Sequence, residues 1–360
     1  MKKIKILSII FLILLCCSCK SGSSSTANKN KETEKPRQYA FSAFDTQCSI
    51  SFYGVESDEN AENYYYSMKT LIDNYDETFS KTNVNSEIYA INHRTSDTVT
   101  VSVETATLFD IAKSFYEWSY KKFDISAGTL IDLWDVKNRK TLPKDSEIEE
   151  AKSHVGNLNY DINMLEGDDV GKATITFYGD KQTQYDLGGL IKGYCNDALK
   201  EMLSTNDDIE ACIVDLGGNI LVTGYVAGRK DGEFRVGIFK PFSKNETIDT
   251  IEVTNKNVIT SGNYRRYFKI DGDDRIYHHI IDPITGYPSN RGLDSVTIVS
   301  ENGLLGDYLS TTCFLLGEEE SKALIDFVRE NDKFGDKSIQ ATFVRSDGKV
   351  TKYPKNVNLK

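Results

Sequence analysis

Two segments built around paired glycines constrain the fold of this chain most strongly. Segment 185–203 passes from a strand-like stretch through glycines 188 and 189 into a helical pattern that begins near Leu190. Segment 211–224 has two apolar stretches on either side of glycines 217 and 218, which predicts a tight connection between two strands. Glycines at such junctions let the backbone turn sharply, so both segments specify a strand, a turn and the next element.

The remaining pattern mixes helices and strands without an internal repeat or a regular βαβ period. Mixed order of this kind favours an α+β fold over a doubly wound sheet. Helices are predicted at 60–79, from Ser86 to 92 with the Ser86 hydroxyl as cap, and at 103–121 and 306–316. Further strands are predicted at 40–53, at the start of 123–136, and at 234–242 and 296–300.

The N-terminus resembles the signal of a bacterial lipoprotein. Three residues, Met1 to Lys3, form a positive start, and an apolar run to Leu15 follows that is too short to span a membrane. Cys19, behind Ser18, is the predicted lipidated residue, with Cys17 as the second choice. The alternative is a secretory signal that is cleaved elsewhere. We expect an extracytoplasmic protein that is anchored to a bacterial membrane by lipid.

Composition divides the chain into three parts. Residues 1–19 are the predicted signal peptide, and the polar residues 20–38 cannot bury enough surface to fold, so we interpret them as a tether. Residues 39–360 form the predicted functional domain, with no further membrane span. The net charge of −11 argues against nucleic acid as a partner.

The cysteines of the predicted domain favour neither a metal cluster nor a disulfide framework. Cys48, Cys195, Cys212 and Cys313 are widely spaced in apolar surroundings, and none forms a CxxC pair. We therefore expect buried free thiols.

Two features of the sequence suit phosphate and metal binding, and each also has a purely structural interpretation. The glycine turn at 188–189 would expose backbone N–H groups at a helix N-terminus, where anions bind, although paired glycines are more often only a tight turn. Asp307 and Thr311 lie four residues apart on a predicted helix, so both face one side and offer oxygen ligands of the kind Mg²⁺ prefers. The alternative is a helix-capping aspartate with an unrelated threonine.

A histidine pair precedes an acidic residue in a loop marked by proline and glycine. His278 and His279 are adjacent, so in a strand they would face opposite ways and at most one would line a site. A functional histidine there would be a general base or a phosphate contact, with Asp282 orienting it. Segment 260–264 adds hydroxyl groups, although a polar loop is the simpler interpretation.

Taken in order, these segments resemble the ApbE family of flavin transferases over nearly the whole mature chain. The family's A-M-G-T, F-S-x-Y with S-E-I, F-D-x-T-x-G with a downstream tryptophan, D-L-G-G-I-A-K-G-Y, paired-glycine, T-S-G-x-Y, H-I-I-D-P-x-T-G and D-A-x-x-T motifs all have counterparts here. The counterparts are 43–46, 79–82 with 86–88, 123–128 with Trp134, 186–194, 217–218, 260–264, 279–286 and 307–311. Eight matches in one order are very improbable by chance.

The resemblance implies a two-lobed α+β fold with FAD as substrate between the lobes and Mg²⁺ on the pyrophosphate. It implies that the metal is held by Asp307, Thr311, Ser310 and the main chain at Ile191. The flavin nucleotide would be bound by Phe44, Thr82, Asp124, Ser126, Gly128, Gly188, Lys192, Tyr194, Ser261 and Ile281.

The implied reaction is transfer of FMN from FAD to a threonine hydroxyl of another protein, with release of AMP. His279 or Asp282 would be the base. The implied acceptor is a subunit of a membrane redox complex with a D-x-x-[ST]-G-A segment, which this chain itself lacks.

Two departures from the family pattern suggest alternatives. Phe44 and Asp45 replace Met-Gly, and Thr82 replaces an aromatic residue that could stack on a ring of FAD. Without that aromatic residue, hydrolysis of FAD to FMN and AMP is an alternative activity. A lipoprotein that binds FAD without chemistry is another.

Overall fold

The computed structural model describes residues 35–206, 208–225, 232–331 and 334–359. The predicted lipidation site, Cys19, lies outside the described residues, as does most of the predicted tether. Arg37 and Gln38, which we assigned to the tether, are the first residues of the first strand, so the folded part begins slightly earlier than predicted. No helix within the described ranges is both long and apolar enough to cross a membrane.

Strands and helices alternate irregularly along the chain. The strands of the described residues are β1 (Arg37–Ala43), β2 (Thr46–Tyr53), β3 (Thr98–Ser102), β4 (Tyr160–Met164), β5 (Lys172–Phe177), β6 (Ala211–Asp215), β7 (Asn219–Gly224), β8 (Phe234–Phe239), β9 (Thr247–Val253), β10 (Asn257–Gly262), β11 (Tyr267–Lys269), β12 (Ile276–His278), β13 (Leu293–Ser300), β14 (Gln340–Arg345) and β15 (Val350–Tyr353). The helices are α1 (Asp58–Thr78), α2 (Glu87–Asn92), α3 (Val103–Trp118), α4 (Gly128–Trp134), α5 (Asp145–Ser153), α6 (Ile191–Ser204), α7 (Gly303–Leu316) and α8 (Glu318–Glu330).

The largest layer is an eight-stranded sheet in the order β1-β2-β6-β7-β10-β13-β14-β15. Every neighbouring pair in it is antiparallel. Helices α6 and α7 pack against each other, and α7 packs on β10 and β13. The β8–β9 hairpin contributes to an apolar cluster with residues of β6, β7, β10, β13 and β14. The prediction of an α+β fold is confirmed.

A smaller sheet, β3-β5-β4, packs with α3 and shares its core with α7. Phe115 of α3 stacks on Tyr308 of α7, with ring centroids 3.9 Å apart and planes 10° from parallel. Thirteen of the 14 residues of α7 are buried, and only Thr311 is open to solvent. A helix that is buried almost all round is held rigidly, so a side chain at its one open position is fixed in place.

Local signals in the sequence placed most helices within a few residues. Ser86 caps α2 as predicted, its hydroxyl accepting a hydrogen bond from the Tyr89 amide at 2.8 Å. Helix α7 begins three residues before the predicted Gly306, because Asn302 caps it by accepting from the Leu305 amide at 2.7 Å. The four cysteines of the domain are buried free thiols, as expected.

Two predicted strands are wrong. The start of 123–136 is a turn, because the Asp124 carboxylate accepts hydrogen bonds from the Ser126 amide and hydroxyl and folds the chain back on itself. The residues before the glycine pair at 188–189 form no regular strand either. An isolated bridge between Ala127 and Gln184 and a hydrogen bond from the Asp186 amide to the Ile125 oxygen at 2.7 Å join the two segments.

Candidate active site

The open position of α7 faces a cluster of hydroxyl groups. Ser261, at the end of β10, places its Oγ 2.8 Å from Ser310 Oγ and 3.2 Å from Thr311 Oγ1. Ser310 Oγ in turn donates to the main-chain oxygen of Asp307 at 3.0 Å. Three hydroxyls and the Asp307 main-chain oxygen therefore converge from two elements, although the sequence spacing alone paired only Asp307 with Thr311.

Helix α6 meets α7 at this cluster through two glycines. An added Cβ on Gly193 would lie 2.1 Å from the Gly303 carbonyl oxygen, and one on Gly303 would lie 2.4 Å from the Gly193 oxygen. This close approach lets the Gly193 amide donate to Asp307 Oδ2 at 2.9 Å. Only glycine fits at both positions, so the pair sets where the carboxylate lies.

The glycine turn before α6 lies on the open side of the cluster. Asp186 Oδ1 accepts from the Gly188 amide at 2.7 Å, and Gly188 itself is exposed. An added Cβ on Gly189 would lie 3.8 Å from Thr311 Oγ1. Ile191 is the first residue of α6. The predicted metal and phosphate segments are thus adjacent in space.

Lys192 brings a positive charge close to the cluster. Its side chain is half-buried, and within the described ranges its ammonium forms no ion pair or hydrogen bond. Its field acts on Asp307 and on His279. A half-buried cation that no carboxylate contacts directly is a favourable position for a phosphate group.

Behind Asp307 lies a buried amide pair that sequence reasoning missed. Asn196 Nδ2 donates to Asn219 Oδ1 at 3.1 Å, and both side chains are fully buried. Burial raises the pKa of Asp307, whereas Lys192, the Gly193 amide and nearby Asn219 lower it. Asn219 Nδ2 nevertheless has no hydrogen bond of ordinary geometry, so the influence of Asn219 on the carboxylate is that of a close dipole. Only its position after Gly217 and Gly218 could have drawn attention to Asn219.

The two histidines face opposite ways, as the strand pattern predicted. His278 is buried, with Nε2 2.8 Å from the Ser289 oxygen and Nδ1 accepting from the Ile280 amide, and burial lowers its pKa to about 4. His279 is exposed, and its Nδ1 lies 3.3 Å from the Arg266 carbonyl oxygen. A ring that donates from Nδ1 has Nε2 free to accept a proton.

The pKa of His279 is lowered to about 3, by loss of hydration first and then by the positive charges of Arg266 and Lys192 and by His278. A ring can be exposed on one side and still lose hydration where protein surrounds its other sides. His279 is therefore neutral at pH 7, which is the form that can accept a proton.

Asp282 makes its contacts within the protein. Its carboxylate forms a buried ion pair with Lys122 at 2.5 Å and accepts from the Ile284 amide at 3.0 Å. Trp134 Nε1 donates to the Gly286 oxygen at 2.7 Å and ties the same loop down a second time. The oxygens of Asp282 thus hold this loop, and its role as catalytic base or orienter stays a prediction.

Comparison with known proteins agrees with this geometry. The model of the ApbE family matches residues 44–333, which include every element of the site. The chain belongs to the ApbE family. It is 29% identical over 289 residues to the FAD:protein FMN transferase of Treponema pallidum, covering 78% of each chain. It is 29% identical over 272 residues to the enzyme of that name from Klebsiella pneumoniae, covering 71% of this chain and 76% of the relative.

A solved ApbE structure supports the same assignment. The ApbE protein of Thermotoga maritima superposes with a TM-score of 0.72 at 28% identity, covering 88% of this chain and 96% of that chain. The likeness extends over nearly the whole described part of this ApbE-family member.

Several predicted nucleotide contacts of this ApbE chain also make contacts within the protein. Ser126, Gly128 and Ile281 are buried, and their contact with a nucleotide stays a prediction. The Asp124 carboxylate accepts from the Gly156 amide at 2.9 Å as well as from Ser126. Because these groups hydrogen-bond or pack within the protein, they brace the site from behind.

The other predicted contacts lie nearer the surface. Thr82 is exposed, and its Oγ1 lies 3.2 Å from Ser80 Oγ. Tyr194 is partly buried and stacks on Tyr75, with centroids 5.5 Å apart, and burial raises its pKa to about 12. No hydrogen bond in the described ranges places Tyr194 at the hydroxyl cluster, so its contact with substrate stays a prediction.

The departure at Phe44 and Asp45 forms a tight hairpin turn between β1 and β2. Both residues have positive φ, 50° and 57°, as a two-residue hairpin loop requires. Arg266 Nη2 donates to the Asp45 oxygen at 3.1 Å, and the Asp45 carboxylate pairs with Lys137 at 3.1 Å. Aspartate tolerates this conformation, which explains how it replaces the family glycine.

The donor set of the site fits a hard cation. The described ranges contain no group of three or more His, Cys, Asp or Glu side chains that could hold a metal, so this site would rely on one carboxylate with hydroxyl and main-chain oxygens. Oxygen ligands with few charges are typical of Mg²⁺ sites in which substrate phosphate and water complete the shell. The residues present therefore fit the metal that the family resemblance implies.

Proposed function

We propose that this protein is an FAD:protein FMN transferase that moves FMN from FAD onto a hydroxyl group of an acceptor protein. The curated relatives carry that name. One observation carries the proposal: unpaired Lys192 lies beside the oxygen cluster of Asp307, Thr311 and Ser261. A cation and a set of hard oxygens suit a pyrophosphate and its metal, the group that must be broken.

Asp307, Ser310, Thr311 and the main chain at Ile191 would hold Mg²⁺. Bound there, the metal would neutralise charge on the pyrophosphate. Lys192 would bind a phosphate oxygen directly, and the Gly189 amide of the turn before α6 would add a hydrogen bond at a helix N-terminus. These contacts position the phosphorus atom, which is the main task in phosphoryl transfer.

His279 would act as the base. The acceptor oxygen forms a bond to the FMN phosphorus while the bond from that phosphorus to the AMP oxygen breaks. The hydroxyl proton passes to Nε2 of His279, and AMP leaves with the electrons of the broken bond. Because His279 is neutral at pH 7, it needs no prior loss of a proton.

Hydrolysis of FAD is the second candidate, and the exposed Thr82 favours it. A threonine offers no ring face to stack on FAD, so water has freer access to the phosphorus. We expect Thr82→Tyr to raise the ratio of transfer to hydrolysis, measured as FMN on the acceptor against free FMN. An unchanged ratio would remove Thr82 from the argument.

Nucleotide analysis separates the three activities. The protein is incubated with FAD and Mg²⁺, with and without an acceptor domain that has a D-x-x-T-G-A segment. AMP that appears only with acceptor supports transfer, and AMP with free FMN in both samples supports a pyrophosphatase. FAD recovered intact in both would leave only a binding protein.

We further propose that the protein is anchored by lipid at Cys19 on the outer side of a bacterial membrane, close to membrane-bound acceptors. The apolar run before Cys19 and the polar residues after it support this location. Cys19→Ser should release the protein from the membrane fraction. Retention of that variant in membranes would contradict lipid anchoring at this residue.

A further inference from the structure

A group of exposed and partly exposed aromatic and arginine side chains lies beside His279. We call Phe242, Tyr264, Arg265, Arg266 and Tyr267 the Arg–aromatic patch. The rings of Phe242 and Tyr267 lie edge to face with centroids 5.5 Å apart, and Tyr264 lies 6.2 Å from Phe242. Phe242 is 48% exposed and Tyr267 is 37% exposed. Exposed aromatic rings next to arginine are typical of the energetic centres of protein interfaces.

The patch is continuous with the reacting site. Tyr267 pairs with His278 across the β11–β12 ladder, and the Arg266 carbonyl oxygen contacts His279 Nδ1. Arg265 Nη1 donates to the Gly217 oxygen at 2.7 Å, and Arg266 reaches the Asp45 oxygen. Any molecule bound on the patch would therefore lie beside the base.

The two arginines give the patch a positive charge that the described residues leave unneutralised. Both guanidinium groups donate to carbonyl oxygens, and neither forms an ion pair with a carboxylate in the described part of the chain. Arg266 contacts the main-chain oxygen of Asp45, whereas the carboxylate of Asp45 pairs with Lys137. In a protein of net charge −11, this local excess of positive charge favours an acidic partner.

Backbone strain adds an independent observation. Phe242 has φ of 60°, a conformation that a bulky side chain adopts rarely and at a cost of about 1–3 kcal/mol. The strain does not bury the ring. A strained, exposed aromatic residue has no evident role in stability, and such strain concentrates at binding sites.

We propose that the Arg–aromatic patch binds an acidic segment of the acceptor protein and so holds the acceptor hydroxyl beside His279. This inference rests on the proposed transferase function, since it names the surface that the second substrate would use. Arginine side chains would pair with carboxylates of the segment, and the three rings would cover its apolar part. FAD phosphates would remain with Lys192 and the glycine turn.

The test measures acceptor and FAD separately, using full-length protein in detergent and an acceptor domain with a D-x-x-T-G-A segment. Phe242→Gly relieves the positive φ, which offsets part of the stability lost with the ring contacts, so the variant should remain folded. We expect Phe242→Gly combined with Tyr267→Ser to raise the KM for acceptor about tenfold or more, the effect of losing one interface anchor. The dissociation constant for FAD and the kcat at saturating acceptor should stay within about twofold.

Arg265→Gln should raise the acceptor KM and weaken its dependence on salt. Tyr66→Ser and Arg235→Gln change an exposed ring and an exposed arginine outside the patch, and both should leave the KM unchanged. An unchanged acceptor KM in the patch variants would overturn the proposal. Weakened FAD binding would overturn it too, by assigning the patch to the dinucleotide. If the wild type transfers no FMN, the proposed transferase function is wrong, and the assignment of the patch to the acceptor is wrong with it.

Discussion

Replacing Gly193 with alanine tests whether the contact between α6 and α7 positions the site. The added Cβ would lie 2.1 Å from the Gly303 oxygen and 2.8 Å from the Asp307 Cβ, whereas ordinary contacts are 3.4 Å or longer. The atoms in conflict are main-chain and Cβ atoms, which no rotamer change can move. The helices must therefore separate by about 1 Å, which pulls the Gly193 amide away from Asp307 Oδ2.

Two effects on stability oppose each other in Gly193→Ala. Overpacking costs about 1–3 kcal/mol, and the better helix propensity of alanine returns up to about 1 kcal/mol. We expect a net loss of about 1–2 kcal/mol in the free energy of unfolding, measured by urea titration. The rate of AMP release should fall by about 100-fold, because a displacement of about 1 Å disrupts the alignment that phosphoryl transfer requires.

Ala198→Gly provides the matched control for this prediction. It lies on the same helix, is partly exposed, and should cost about 1 kcal/mol through helix propensity without changing the spacing of the helices. Its rate of AMP release should equal that of the wild type. If Gly193→Ala released AMP at a rate close to that of Ala198→Gly, the contact between the two glycines would not position Asp307.

Three further predictions follow from buried or catalytic groups. Since burial lowers the pKa of His278 from 6.5 to about 4, the unfolded chain takes up a proton that the folded state does not as pH falls below 6.5. His278 thus contributes stability that is present above pH 6.5 and lost towards pH 4, by up to about 1.4 kcal/mol per pH unit. His278→Gln should remove that part of the slope in urea titrations from pH 7.5 to 5, and an identical slope in both proteins would refute it. Lys122→Met leaves the buried Asp282 carboxylate unpaired and should cost about 3–5 kcal/mol in unfolding free energy, whereas a loss below about 1 kcal/mol would show that the pair is unimportant. His279→Gln should lower kcat by about 100-fold or more with FAD affinity little changed, and a wild-type kcat would exclude His279 as the base.

The sequence predicted local structure well and contacts between distant segments poorly. Helical periodicity and capping placed α1, α3 and α7 closely, because these signals lie within a few residues. The strands predicted at 123 and before 188 were wrong, because apolar residues there are buried by tertiary packing and the Asp124 turn overrides the pattern.

The same limit applies to the site. The spacing of Asp307 and Thr311 indicated one helix face, but Ser261 joins them only because β10 packs beside α7. The sequence suggested a catalytic role for Asp282 because its ion-pair partner, Lys122, is 160 residues away in sequence and gave no local signal. The family resemblance identified the segments that meet, and the structure separated those that face the cleft from those that brace it.

The central claim is tested most directly by the intact mass of an acceptor domain after incubation with full-length protein and FAD. With Mg²⁺ present, the account predicts that the acceptor gains one FMN, and that the gain disappears with EDTA or with Asp307→Ala. An acceptor that stays unmodified with the folded wild-type protein, or one that is modified equally by Asp307→Ala, would contradict the account.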